Sequence, residues 1–203
     1  MVIIVPFFPT LTDYDKWATV LKRQGQSDNH NLVVVTQRPH EEKAIAFKDS
    51  VATLFRKADV RVIDLVEQGG GIGVSNKLFK AAVYTFEESR PAPGEPGDLP
   101  MIYMDPTWRV TKIGWADGIQ AEFYTQGRPR ALGTGVRNAA GELVTRGPLV
   151  LSRQYVEDTA LLPHIPANTH WRDYLRYEIG NVLVLSQTIG ADKGALVKPP
   201  AQK

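Results

Sequence analysis

Three apolar runs, each followed by a stretch of helical period, fill the first 88 residues and restrict the chain to few folds. The first, Val2-Ile3-Ile4-Val5, is β-branched throughout and closes at Pro6, as a strand buried on both faces does. Thr12 or Asp13 can cap the helix after it, where Tyr14, Trp17, Val20 and Leu21 recur at helical spacing. Leu32-Val33-Val34-Val35 predicts a second strand, with a helix from Glu41 to Lys57 that carries Ala44, Phe47, Val51, Leu54 and Phe55 on one stripe. Val60 to Leu65 predicts the third strand. A turn, Gly69-Gly70-Gly71-Ile72-Gly73, then leads into a helix from Ser75 to Glu88. Such alternation requires an α/β fold: a mainly parallel sheet, right-handed crossovers and helices on both faces.

The second half is less regular. Arg90 to Leu99 is rich in proline and glycine and reads as a surface loop. Met101 to Met104 is a short apolar strand stopped by Asp105-Pro106, and ligands of open α/β sheets bind where strands end in this way. Trp115 to Tyr124 predicts a helix, Arg130 to Gly135 a strand, and Glu142 to Val144 with Leu149 to Leu151 two more, with a hairpin turn at Asn138 to Gly141. A long helix is predicted from Thr169 to Gln187. Residues 1–190 are expected to form one domain, and 191–203 a flexible tail.

Composition removes several chemistries. The chain has no cysteine, which excludes a disulfide scaffold, a thiolate zinc site and a cysteine nucleophile. Lys and Arg outnumber Asp and Glu by only 24 to 22, so net charge does not call for a polyanionic partner. No apolar run approaches the roughly 20 residues of a membrane span, and a cytoplasmic protein is expected.

Four clusters can carry chemistry. Asp105 at its strand end is placed either to open the turn at Pro106 or to hold a divalent metal. Gly69 to Lys77 either puts main-chain N–H groups before a helix N-terminus with Lys77 in its first turn, which suits a phosphate, or is a plain flexible loop; the spacing is neither a Walker loop nor Gly-x-Gly-x-x-Gly. His170 and Asp173, three apart, read as a metal ligand and general base or as ordinary helix-start residues. Arg109, Lys112, Arg128 and Arg130 interleave with Trp108, Trp115, Phe123 and Tyr124, either as core or as a surface for sugars or nucleic acid.

In their order these pieces resemble the GT-A fold of nucleotide-sugar-dependent glycosyltransferases, of the compact bacterial or bacteriophage type. The resemblance runs from Val5-Pro6-Phe7-Phe8 through Gly73-x-Ser75-Asn76-Lys77 to Ile102-Tyr103-Met104-Asp105. The family's Asp-x-Asp metal motif reads Asp105-Pro106-Thr107 here, without the second acid. Arg146 to Arg153 resembles the acceptor-side strand, and Thr169-His170-Trp171-Arg172-Asp173 stands where the family places a catalytic acid or metal-binding histidine.

The resemblance implies a manganese or magnesium ion at Asp105 and His170. It implies a nucleoside pocket lined by Pro6, Phe7, Phe8 and Thr10, and diphosphate contacts from Gly73, Asn76, Lys77, Arg109 and Lys112. Asp173 would be the base for an acceptor hydroxyl, which in bacteriophages includes hydroxymethylated DNA bases. Two other readings share this frame: a non-catalytic binding or structural protein, and a sugar-phosphate nucleotidyltransferase. The latter expects a glycine-rich, basic loop where this chain has Phe7-Phe8-Pro9-Thr10.

Overall fold

The computed structural model describes residues 1–8, 13–64, 72–89, 97–104, 107–137, 141, 143–159, 165, 169–174, 183–190 and 195–199. Strand β1 (Val2–Pro6) is an interior strand of a seven-stranded sheet, third from one edge, and is covered on both sides. Its side chains alternate: Ile3 and Val5 enter one core, Val2 and Ile4 the other.

Helix α1 (Tyr14–Gln24) starts where the Asp13 carboxylate accepts the Lys16 N–H at 3.1 Å and stops at Gly25, whose φ of 82° ends the helical path. Strand β2 (Ser27–Gln37), helix α2 (Glu41–Val51), strand β3 (Phe55–Ile63) and helix α3 (Ile72–Glu88) follow. Then come β4 (Met101–Tyr103), β5 (Arg109–Val110), α4 (Trp115–Thr125), β6 (Ala131–Arg137) and β7 (Leu143–Leu151). Helix α5 (Arg153–Thr159), β8 (Leu183–Leu185) and β9 (Val197–Lys198) complete the described elements.

The sheet order is β3-β2-β1-β4-β7-β6-β8. Every neighbouring pair is parallel except the two made by β7, which therefore runs against the other six strands. Helices α1, α2 and α4 pack on the Ile3 and Val5 face, and α3 and α5 on the Val2 and Ile4 face. The chain thus moves outward from β1 to β3 along one face and returns to β4 along the other, as right-handed crossovers demand. The expected α/β architecture, mainly parallel with helices on both faces, is the observed one.

Four local expectations fail. The helix predicted to Lys57 ends at Val51, because Phe55 pairs with Ser27 as the first residue of β3. The helix predicted to Gln187 is a strand over Leu183–Leu185, paired with β6; a short apolar run fits either period until a neighbour decides it. Residues 195–199, expected in a loose tail, are tied down: β9 pairs with β5, and Ala195 and Val197 are fully buried. The two strands predicted around Arg146-Gly147-Pro148 are one strand with a bulge, marked by the register shift opposite Gly133 and Thr134.

At the amino edge of the sheet, His30 donates from Nε2 to Asp117 at 2.9 Å and accepts at Nδ1 from the Met1 amine, 3.2 Å away. The same amine donates to Gln120 at 2.8 Å. These bonds fasten α4 to the starts of β1 and β2.

Candidate active site at the carboxyl edge

Strands β1 and β4 are parallel neighbours, yet the chain leaves β1 toward β2 and α1 whereas it leaves β4 toward β5. Such a switch point leaves a crevice at the carboxyl edge. Phe7 N–H extends β1 by bonding to Val35 O at 2.8 Å, and Met104 N–H bonds to Ile4 O at 2.7 Å, so both exits are built of ordered main chain. Asp105, Pro9 and Thr10 lie outside the described residues.

Of the predicted nucleoside-pocket residues, Pro6 gives its carbonyl to the Tyr14 hydroxyl at 2.8 Å, and that hydroxyl accepts the Phe8 N–H at 2.9 Å. The first turn of α1 thereby fixes the exit of β1. Phe7 is buried, its ring 4.1 Å from Tyr14 and 5.9 Å from Phe47, and walls a hollow of about 410 Å3 with Asp13, Asp15 and Lys43 at the rim. Phe8 is half-buried and meets His40 edge to face at 5.8 Å. At the neighbouring exits Arg38 spans from β2 to β3, donating from Nε and Nη2 to the two oxygens of Asp64 at 2.9 and 3.3 Å. Those hydrogen bonds hold the Asp64 carboxyl below the usual carboxylate range.

Gln37, the last residue of β2, went unnoticed in the sequence. It is only 7% exposed, and its Nε2 has no hydrogen-bond partner among the described residues. A buried amide donor without an acceptor is uncommon and is expected where a ligand supplies one. The signal was its position, a polar residue ending an apolar strand, the same signal that singled out Asp105.

The segment at residues 169–174 packs onto the start of α3. Asn76, predicted to bind the donor, is 5% exposed and spends its amide on main chain: Nδ2 donates to Thr169 O and Oδ1 accepts Trp171 N–H, each at 2.8 Å. It is a clamp, not a ligand contact. Trp171 stacks on Phe79 at 4.1 Å and stands edge-on to Tyr103 at 5.2 Å, which seats the segment over the end of β4. Gly73, predicted in a flexible turn, is already inside α3, and Lys77 lies half-buried in the same helix. Asp173 is exposed in the short turn after His170.

His170 fits the metal role poorly. Its Nδ1 accepts the Arg172 N–H at 3.1 Å and its Nε2 lies 3.0 Å from Ser75 Oγ, so a cation would have to displace one of these bonds. No group of three His, Asp or Glu side chains able to hold a metal occurs among the described residues. The described side chains thus do not make a metal site.

Two other predicted groups fall elsewhere. Lys112 precedes Ile113, whose side chain lies beside Gly25, and Gly114 opens the helix that binds His30. It belongs to the amino edge, opposite the crevice. Arg109 is exposed on β5. Three of the four aromatic residues interleaved with these cations are core: Trp115 and Phe123 are 1% and 0% exposed, and Trp108 packs against Gly147. Tyr124 is half-buried, with the Arg128 guanidinium 5.4 Å over its ring, so these aromatics do not form a continuous stacking surface.

With this sheet order and its single reversed strand, the chain has the GT-A fold. Among solved structures it resembles S. aureus TarS 1-349, at 14% identity and a TM-score of 0.56 over 98% of this chain. It spans 60% of that chain. It also resembles the galactosyltransferase LgtC in complex with donor and acceptor sugar analogs, at 11% identity and a TM-score of 0.52, covering all of this chain and 87% of the other. A nucleoside-diphosphate-sugar pyrophosphorylase from Vibrio cholerae RC9 shares the frame at 6% identity and a TM-score of 0.53, over 91% of this chain and 92% of its own. No protein-family model matches the sequence. No curated protein matches it either. No described helix is long and apolar enough to cross a membrane.

Proposed function

We propose that this chain transfers a sugar from a nucleotide-sugar donor to an acceptor hydroxyl. The observation that carries the reading is Gln37, a buried donor without a partner among the described residues, at the ligand-binding edge of a GT-A sheet. The nucleoside lies over the exits of β1 and β2, between Phe8 and Gln37, and the diphosphate over the start of α3, where Lys77 and the helix N-terminus favour negative charge. Asp173 takes the proton of the acceptor hydroxyl as its oxygen attacks the anomeric carbon. The bond from that carbon to the diphosphate breaks, and the electron pair leaves on the diphosphate.

The sugar-phosphate nucleotidyltransferase reading has the same fold behind it, so the fold does not separate the two. The exit of β1 does: Phe7-Phe8-Pro9-Thr10 has no glycine or basic side chain to hold a triphosphate. A donor-hydrolysis screen over nucleotide sugars tests the proposal. Release of nucleoside diphosphate that falls at least tenfold in Asp173→Ala supports it, and release of pyrophosphate from a nucleoside triphosphate and sugar phosphate overturns it. Asp105 is the remaining acid of the metal motif, and we assign a divalent cation to it. A nucleoside diphosphate should then raise the melting temperature more with manganese than without, with the difference lost in Asp105→Ala; equal shifts with and without manganese would remove the metal from the site.

A further inference from the structure

Ser75, in α3, is bonded by two side chains from the 169–174 segment. Trp171 donates from Nε1 to Ser75 Oγ at 3.1 Å, and His170 Nε2 approaches the same oxygen at 3.0 Å. The direction of the second bond follows from the other ring nitrogen. A main-chain N–H can only donate, so the Arg172 N–H at 3.1 Å makes Nδ1 the acceptor and leaves the proton of a neutral imidazole on Nε2. Burial first, and the Arg172 charge second, hold His170 below the usual histidine range, which keeps the ring neutral.

Ser75 Oγ therefore accepts two hydrogen bonds. Its lone pairs are used, and its own proton has no acceptor among the described residues. Two donors on one oxygen also polarise its O–H bond and strengthen it as a donor. The arrangement excludes a serine nucleophile served by a histidine base, because the histidine gives its proton to the serine rather than taking one.

The geometry points to Ser75 as a hydrogen-bond donor to an anionic oxygen of the ligand, with His170 and Trp171 as the positioning residues that turn its proton toward the crevice. The inference rests on the nucleotide-sugar reading above and assigns the diphosphate, not the nucleoside or the sugar, as the group received. Two placements favour a phosphate oxygen. The hydroxyl sits near the positive end of α3, and the Arg172 guanidinium lies 4.3 Å over the ring of Trp171, whose Nε1 bonds that hydroxyl. His170 thus serves the leaving group through Ser75 and not through a metal.

The test is calorimetric binding of UDP, GDP and inorganic pyrophosphate, with uridine and guanosine as controls, to the wild type, Ser75→Ala, His170→Gln, His170→Leu and the Ser75→Ala/His170→Leu double variant. Ser75→Ala should weaken the diphosphate-bearing probe that binds best by about tenfold, the range for a hydrogen bond to a charged group, and leave the nucleoside unchanged. His170→Leu should match that loss. His170→Gln, whose amide can place a donor near the position of Nε2, should recover most of it. The double variant should be no weaker than Ser75→Ala alone, since one residue acts through the other.

Wild-type binding with Ser75→Ala unchanged, or weakened equally for nucleoside and diphosphate, overturns the inference and leaves the functional reading standing. Absence of wild-type binding to every probe overturns both. Ser75→Ala puts a good helix former in a helix and keeps the inference testable even if His170→Leu fails to fold.

Discussion

Gly147 carries a constraint that no side chain can meet. Its φ is +71°, and a Cβ built on it would lie 2.2 Å from the Trp108 ring, inside any allowed contact. Trp108 stands three residues beyond Asp105, so the glycine of the β7 bulge fixes the chain that leaves the crevice. Gly147→Ala combines a left-handed backbone penalty with overpacking and should cost about 3 kcal/mol or more. Gly127 provides the comparison: its φ is +78° with nothing within 4 Å, so Gly127→Ala should cost only about 1 kcal/mol. Urea unfolding of the two variants separates strain from collision; equal losses would mean that the Trp108 contact contributes nothing. Among the remaining residues, Arg153 shows what a buried charge does here. It donates to Phe86 O, which also accepts the Ser89 N–H, and to Ser89 O just beyond the end of α3, at 3.1 and 2.5 Å, and lies 4.3 Å over the Phe86 ring.

At the scale of elements, the junction between α3 and residues 169–174 decides how the crevice is built. Asn76 replaces a strand neighbour for that segment, satisfying one carbonyl and one N–H that lie 93 and 95 residues downstream. Asn76→Ala removes both bonds while leaving the helix intact. Amide exchange in the peptide covering 169–174 should accelerate about tenfold or more, as expected for loss of roughly 1.4 kcal/mol of local stability, with β1 and β2 unchanged. An unaltered exchange rate there would show that the Trp171 stack alone holds the segment. This junction also explains where sequence reading stopped. Strands β1, β2 and β4 and helices α1, α3 and α4 were legible because each carries its own period and its own stop. The role of Asn76 was not, since a polar residue at a helix start looks alike whether it faces a ligand or the main chain of a distant segment. Strand β8 was misread for the same reason, its period being settled by β6 and not by its own residues.

On the scale of the whole molecule, two histidines lock opposite edges of the sheet in their neutral forms. His30, 1% exposed at the amino edge, is pushed down first by burial and then by the neighbouring N-terminal charge, against a smaller raising effect of Asp117. His170, at the carboxyl edge, is pushed down by burial and by Arg172. Burial also lowers the Met1 amine, from 8.0 to about 5. For all three the unfolded chain binds a proton at a pH where the folded one does not. Stability therefore rises with pH: the amine contributes between about 5 and 8, and both histidines lose their contribution as pH falls below 6.5. The melting temperature should climb steadily from pH 5.5 to 8, with the slope below 6.5 reduced in His30→Gln, whose neutral amide cannot be protonated in this range. Asp13 and Asp64, both held below 3.8, take up protons well below this window, and Glu87, raised by burial, makes stability fall with rising pH, so none of these carboxylates produces the same slope. A melting temperature independent of pH across this interval would mean that the two edges open to water and that neither histidine is held neutral by burial.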